Sequence, residues 1–245
     1  RKYLVLGGMP QMINNFIQND MNIAHVNFEI QNQIITSYLA DMNKYTENSE
    51  GIRNSQIYNA IPKELAQEHN TFKYSIVDKD ARKVRYESSL DWLLSSNMVL
   101  KCPLALKNES PLKAFSDEDK FKIYLSDTGL LRALSNLDYR EILLDKNEMY
   151  KGVLTENYIA CMFYPEFKEL YYYTFDKYEI DFLIKIDGDI IPVEVKNGTR
   201  TSSRSLNEYV KKYSPKYSIR ISSKNFGFEN GIKSVPLYAV FAIKK

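Results

Sequence analysis

The chain has 245 residues, 44% hydrophobic and 26% charged, which excludes collagen-like, disulfide-framework and fully disordered classes. Thirty-three Lys and Arg against 31 Asp and Glu leave a net charge of only +2. Attraction to nucleic acid or anionic lipid must therefore come from a local patch.

Several classes of chemistry drop out next. Cys102, Cys161, His25 and His69 have no zinc-ligand spacing. The two cysteines suit a reducing, cytoplasmic setting. The longest apolar run, near residues 235–243, is about half of what a membrane span needs. No glycine-rich loop ending in Gly-Lys-Ser/Thr is present, so this chain by itself is expected not to use ATP. It begins at Arg1 without Met, which leads to the expectation of a fragment of a longer protein.

Gly7-Gly8-Met9-Pro10 reads as a turn with Pro10 at the first position of a helix. Helical patterns follow at residues 12–19 and 30–45, the latter with Ile30, Ile34, Ser37, Tyr38 and Asp41 on one side. A short helix is expected at 52–60, and Pro62 opens another at 63–66. Residues 72–77 read as a short strand or irregular. Tyr86, Leu90, Leu93 and Leu94 mark a helix, and 98–104 a strand. This order fits a winged-helix-like domain over residues 1–110.

The polar stretch 108–120 reads as a linker, with a second domain over 111–245. Helices are expected from about Thr128 and over 153–163, then strands at 170–175, 179–186 and 189–196. A helix at about 205–213 and strands at 217–222 and 237–243 complete an α/β arrangement.

The chemistry concentrates at Glu179–Lys196. Asp187-Gly188 between alternating apolar runs signals a two-residue hairpin. Counting back from that turn pairs Ile186 with Asp189, Lys185 with Ile190 and Asp181 with Glu194. One face then carries Ile180, Phe182, Ile184, Ile186, Ile191, Val193 and Val195; the other carries Glu179, Asp181, Glu194 and Lys196. Opposed Cβ atoms lie roughly 4.5–5.5 Å apart, where two carboxylates repel by about 3 kcal/mol at an effective dielectric near ~20. Mg²⁺ or Mn²⁺ offsets this directly. Lys196 supplies an ammonium beside such a metal and a scissile phosphate. Glu156 shares its helix face with Val153, Ala160 and Phe163, an unusual place for an acid unless it reaches the same cluster. The competing reading is a structural ladder pairing Glu179 with Lys196 and Lys185 with Asp187.

Glu156, Asp181 and Glu194-Val195-Lys196 on helix, strand and strand resemble the PD-(D/E)XK nuclease superfamily. With Gly7–Pro10, residues 38–42, 121–131, 152–157 and 191–196, the chain more specifically resembles the region C-terminal to the ATPase module of prokaryotic AAA-type ATPases, a family of unknown function. Here the first half of the nuclease motif is Glu-Ile-Asp, not Pro-Asp. The resemblance implies a winged-helix-like part followed by a restriction-endonuclease-like mixed sheet flanked by helices. It also implies an ATPase module before Arg1, with ATP confined to that module.

The implied activity is metal-dependent hydrolysis of DNA. Asp181 and Glu194 would hold Mg²⁺ or Mn²⁺, Glu156 would position it or a water, and Lys196 would stabilise developing charge. The alternative is an inactive module that couples DNA or a protein partner to the ATPase. Arg200, Arg204, Lys211 and Lys212, and in the first half Lys83 and Arg85, are the candidate DNA contacts.

Overall fold

Gly7-Gly8 and Asp127 stand 119 positions apart in the chain, and the fold joins them: Gly8 N–H donates to Asp127 Oδ2 at 2.6 Å. The structure is a computed structural model that describes residues 1–245 except 47, 68–70, 79–81 and 199–202. It divides into two compact units, Arg1–Leu100 with Ile123–Tyr158, and Lys101–Lys122 with Ile159–Lys245.

The first unit is helical. It contains α1 (Lys2–Leu6), α2 (Pro10–Gln18), α3 (Glu29–Lys44), α4 (Asn48–Leu65), α5 (Tyr74–Val77), α6 (Lys83–Ser95), α7 (Thr128–Leu134), α8 (Tyr139–Leu143) and the first part of α9 (Glu148–Phe167). Pro10 is the first residue of α2, where its missing N–H costs nothing. Met42, Ile57, Ile61 and Leu93 are buried where α3, α4 and α6 pack.

Three sequence expectations change here. Residues 52–65 lie in one helix that runs through Pro62, with Ile57 and Ile61 buried ahead of it. Residues 74–77 are a helical turn, neither strand nor irregular. On α3 the buried residues are Ile30, Gln31, Ile35 and Met42. Gln31 turns inward because its amide donates to the carbonyls of Val5 (2.9 Å) and Leu6 (3.0 Å), while its Oε1 accepts from Arg132. Asp127 caps α7 by accepting from Leu130 N–H at 2.9 Å as well as from Gly8. An added Cβ at Gly129 would overlap the Leu6 carbonyl and the Gln31 amide, so only glycine fits there.

The second unit is built on an eight-stranded mixed sheet in the order β2-β1-β3-β4-β5-β6-β8-β7. The strands are β1 (Val99–Ala105), β2 (Ser116–Leu125), β3 (Tyr171–Phe175), β4 (Tyr178–Ile186), β5 (Asp189–Val195), β6 (Ser218–Ser222), β7 (Gly227–Glu229) and β8 (Ile232–Pro236). Pairings β1–β3, β5–β6 and β6–β8 are parallel; β3–β4, β4–β5 and β7–β8 are antiparallel. The expected linker at 108–120 instead holds a 3-10 turn, Leu112–Phe115, and the start of β2. That strand reads as polar because its first five residues are not buried, whereas its last five are.

Residues 237–242 form a 3-10 helix, not a strand. The strands in that region are β7 and β8, joined at Asn230-Gly231 with positive φ at both residues. Asp187-Gly188 has the same backbone signature (φ 50 and 90) and joins β4 to β5 in the expected register, Ile186 with Asp189 and Lys185 with Ile190. On one face of β4, Phe182 meets Phe163 of α9 edge-on. On the other, Leu183 packs with Leu206 and Tyr209 of α10 (Arg204–Tyr213). Helices therefore cover both faces of the sheet.

Candidate functional site

The site starts from an irregularity in β4. Tyr171 pairs with Leu183 but Tyr173 pairs with Ile180, so β4 carries one extra residue around Asp181 and Phe182. This corrects the expected faces. Ile180 leaves the Phe182–Ile184 side and joins Leu183, Tyr173 and Tyr209 on the α10 side. The bulge turns the Asp181 carboxylate onto the neighbouring strand: Asp181 Oδ2 accepts from Val195 N–H at 2.7 Å. The β4–β5 ladder runs from Ile186–Asp189 to Phe182–Val193. Beyond it the carboxylate takes a main-chain N–H of β5, so Asp181 lies against the peptide that follows Glu194.

Glu194 is buried and its Oε1 accepts from Lys196 Nζ at 2.6 Å. Two positions along an extended strand place these side chains on one face. The Glu194 side chain is 5% exposed and that of Lys196 33%, so the ammonium lies between a buried anion and the surface. Lys196 N–H donates to the Ile221 carbonyl at 2.8 Å, extending β5 along β6 past Val195. In that pairing Glu194 stands opposite Arg220. Glu179 faces elsewhere. It pairs with Lys122 at 2.6 Å, and the Lys122 ammonium also lies over the Tyr172 ring. Lys185 donates to the Ser110 hydroxyl at 3.0 Å. The alternative ladder, Glu179 with Lys196 and Lys185 with Asp187, is replaced by these partners.

Glu156 belongs to the first unit, half-buried on α9, where its Oε1 accepts from the Tyr124 hydroxyl at 2.7 Å. Next to it Asn157 is fully buried and bonds both the N–H and the C=O of Leu125, each at 2.9 Å. Among the described residues, no group of three or more His, Cys, Asp or Glu side chains that could hold a metal is present. The two carboxylates at this place in the sheet that could hold a cation are Asp181 and Glu194. Their oxygens suit Mg²⁺ or Mn²⁺, which keep most of their waters and take one or two carboxylates.

The basic candidates divide. Arg204 is exposed at the start of α10, behind the Ser203 hydroxyl that caps the helix by accepting from Leu206 N–H at 3.1 Å. Lys211 is tied to Glu208 at 2.7 Å, and Lys212 to Asp176 at 3.0 Å. Arg200 lies outside the described residues. Lys83 and Arg85 are exposed in the first turn of α6, and Lys83 lies 3.6 Å from Glu87. Cations in a first helical turn oppose the helix dipole, so the fold keeps them there against a local cost.

Sequence reasoning missed the Asp127–Gly8 link, the Gln31–Arg132 pair and the Lys122–Glu179 bridge. Each joins residues far apart in the chain, and no local pattern marks them. It also missed β7 and β8, for which Asn230-Gly231 was a usable turn signal. Among the described residues, no helix is long and apolar enough to cross a membrane.

No curated protein and no solved structure matches the chain. Residues 151–240, which include Glu156, Asp181, Glu194 and Lys196, match the family described as Domain of unknown function (DUF4143). Residues 1–141, more than half of the chain, match the family described as Domain of unknown function (DUF8612), and the chain belongs to that family.

Proposed function

We propose that this chain is the C-terminal part of an AAA-type ATPase and carries a PD-(D/E)XK nuclease-like domain that hydrolyses DNA phosphodiesters with Mg²⁺ or Mn²⁺. The observation that carries the reading is the bulge in β4 that brings the Asp181 carboxylate onto Val195 N–H, beside the buried Glu194–Lys196 pair. Helices on both faces of the mixed sheet agree with a restriction-endonuclease-like fold. The order α3, α4, α6 and then the neighbouring strands β1 and β2 agrees with a winged-helix-like part. The match of residues 151–240 to a domain known from ATPase-associated proteins supports the link to an ATPase.

In this reading Asp181 and Glu194 would hold the cation, which would supply a water of lowered pKa and neutralise phosphate charge. Asp181 keeps the end of β5 in place through Val195. Lys196, partly open to solvent, carries its charge to the phosphate face of Glu194. Glu156 belongs to the first unit and has no part in this assignment. Arg204 and Lys211, with Arg200, and Lys83 and Arg85 in the first unit, are the phosphate contacts.

A second reading is an inactive module that binds DNA or a protein partner. It is favoured by the Lys196–Glu194 pair, which engages a carboxylate oxygen that a metal would use. Cleavage of labelled single- and double-stranded DNA, with Mn²⁺ or with EDTA, decides between them. The nuclease reading requires Mn²⁺-dependent cuts that disappear in Glu194→Gln and Lys196→Met. Binding without cutting in the parent leaves the second reading, and equal cutting by parent and Glu194→Gln removes the assigned site.

A further inference from the structure

The net charge of +2 hides an uneven distribution. Residues 215–245 hold six Lys and Arg against one acid, Glu229, together with five aromatic residues. Four of those aromatics are about two-thirds exposed: Phe226, Phe228, Tyr238 and Phe241. They lie on the edge strand β7, just before it, and on the 3-10 helix Leu237–Ala242. Phe226 and Tyr238 meet edge-on, with ring centroids 6.4 Å apart.

A groove of about 630 Å³ opens beside them, lined among others by Tyr217, Ile219, Phe226, Lys233 and Ala239. Its charged lining residues are Lys233, Lys244 and Asp187, and Lys244 is paired with Glu166 at 3.0 Å. Lys233 is the lining residue that links these features. It is directly opposite Phe228 in the β7–β8 ladder and opposite Ile219 in the β6–β8 ladder, and its ammonium lies 3.9 Å from the Tyr217 ring centre.

We propose that this groove binds single-stranded nucleic acid, with Phe226 and Phe228 stacking on bases and Lys233 meeting the backbone phosphates. Rings that are exposed and interleaved with lysines make a stacking platform with positive charge along it. Bases in a duplex are already stacked on one another, so ring faces of this kind serve unpaired strands. An apolar protein partner fits less well, because lysine is depleted from the cores of protein interfaces and here Lys233 and Lys244 both line the groove.

Phe182, Val193, Ile219 and Lys233 follow one another across β4, β5, β6 and β8 and so share a face of the sheet. Glu194, next to Val193, points to the other face. The groove is therefore separate from the carboxylate site, and a strand seated in it is held rather than cut. The inference stands whether or not the Glu194 site is catalytic.

Fluorescence anisotropy with a labelled oligothymidylate, in EDTA and over a salt series, tests it on the full chain. The parent should bind the oligonucleotide in preference to a duplex of equal length. Phe226→Ala and Phe228→Ala should each weaken binding about fivefold or more, and Phe228→Trp should retain it. Lys233→Ala should lower the salt dependence by about one phosphate contact, a change of ~0.7 in the log–log slope. Glu194→Gln should bind like the parent, which separates this site from the nuclease reading. Phe226, Phe228 and Lys233 are exposed, so circular dichroism should show the variants at these positions folded. No binding by the parent, unchanged affinity in the two alanine variants, or full retention by Phe228→Leu would overturn the proposal. So would sedimentation showing a dimer of this chain that Phe228→Ala dissolves.

Discussion

Replacing Asp181 with alanine should release the end of β5 even with no metal present. The Asp181 carboxylate accepts from Val195 N–H at 2.7 Å, at the point where the β4–β5 ladder has ended. A hydrogen bond to a charged group contributes about 1.5–3 kcal/mol, and a half-buried N–H left without it carries a further desolvation cost. A loss of roughly 2 kcal/mol for Asp181→Ala follows, and about half of that for Asp181→Asn, whose amide oxygen still accepts but without charge. The effect is local, so the assay is hydrogen exchange at the Val195 amide. At roughly 1.4 kcal/mol per factor of ten, exchange should quicken by about 30-fold in the alanine variant and about 5-fold in the asparagine variant. Rates within a factor of two of the parent in both would refute the reasoning, because the carboxylate would not be holding the strand.

Three further outcomes are expected. Burial pushes the Glu64 carboxyl up to about 7, against the lowering effect of the Lys73 main-chain N–H and charge. Its folded value then lies above the ordinary 4.5, so the stability it contributes is complete below that pH and is lost as pH rises to about 7. The loss should be on the order of 2 kcal/mol. Glu64→Gln should abolish this slope in urea unfolding followed by fluorescence of Trp92, the single tryptophan, which lies in the first unit on α6. With the same probe, Gly129→Ala should destabilise by about 2 kcal/mol, because overlap with the Leu6 carbonyl outweighs the gain in helix propensity. Gly188→Val, at φ 90, should cost about 1–2 kcal/mol and weaken the β4–β5 hairpin, read as faster amide exchange at Ile186, the residue that pairs with Asp189 next to the turn.

The legible parts of the fold are those with a local cause. Asp187-Gly188 and the alternation on either side fixed the β4–β5 register, and with it the neighbourhood of Asp181, Glu194 and Lys196. Pro10, Gly7 and the Tyr86–Leu93 spacing marked helix positions that the fold keeps. The bulge was not legible, because it arises from how β4 meets β3 and not from the sequence of β4 alone. Residues 237–242 have a strand-like composition, yet they follow Pro236 at the end of β8 and close into a 3-10 helix. Gln31 reads as a surface residue until the Val5 and Leu6 carbonyls are placed beside it. The acids of the site follow the same division. Glu194 and Lys196 share a face by their spacing alone, whereas the environment of Glu156 is set by Tyr124, 32 positions earlier in the chain.

A crystal of the full chain soaked in Mn²⁺ and measured at the manganese absorption edge tests the central claim most directly. The account predicts an anomalous peak held by Asp181 and Glu194, with the Lys196 ammonium moved off Glu194 Oε1, and its loss in Glu194→Gln. An intact Lys196–Glu194 pair and no peak beside it, at a Mn²⁺ concentration that labels other carboxylates of the crystal, would contradict it.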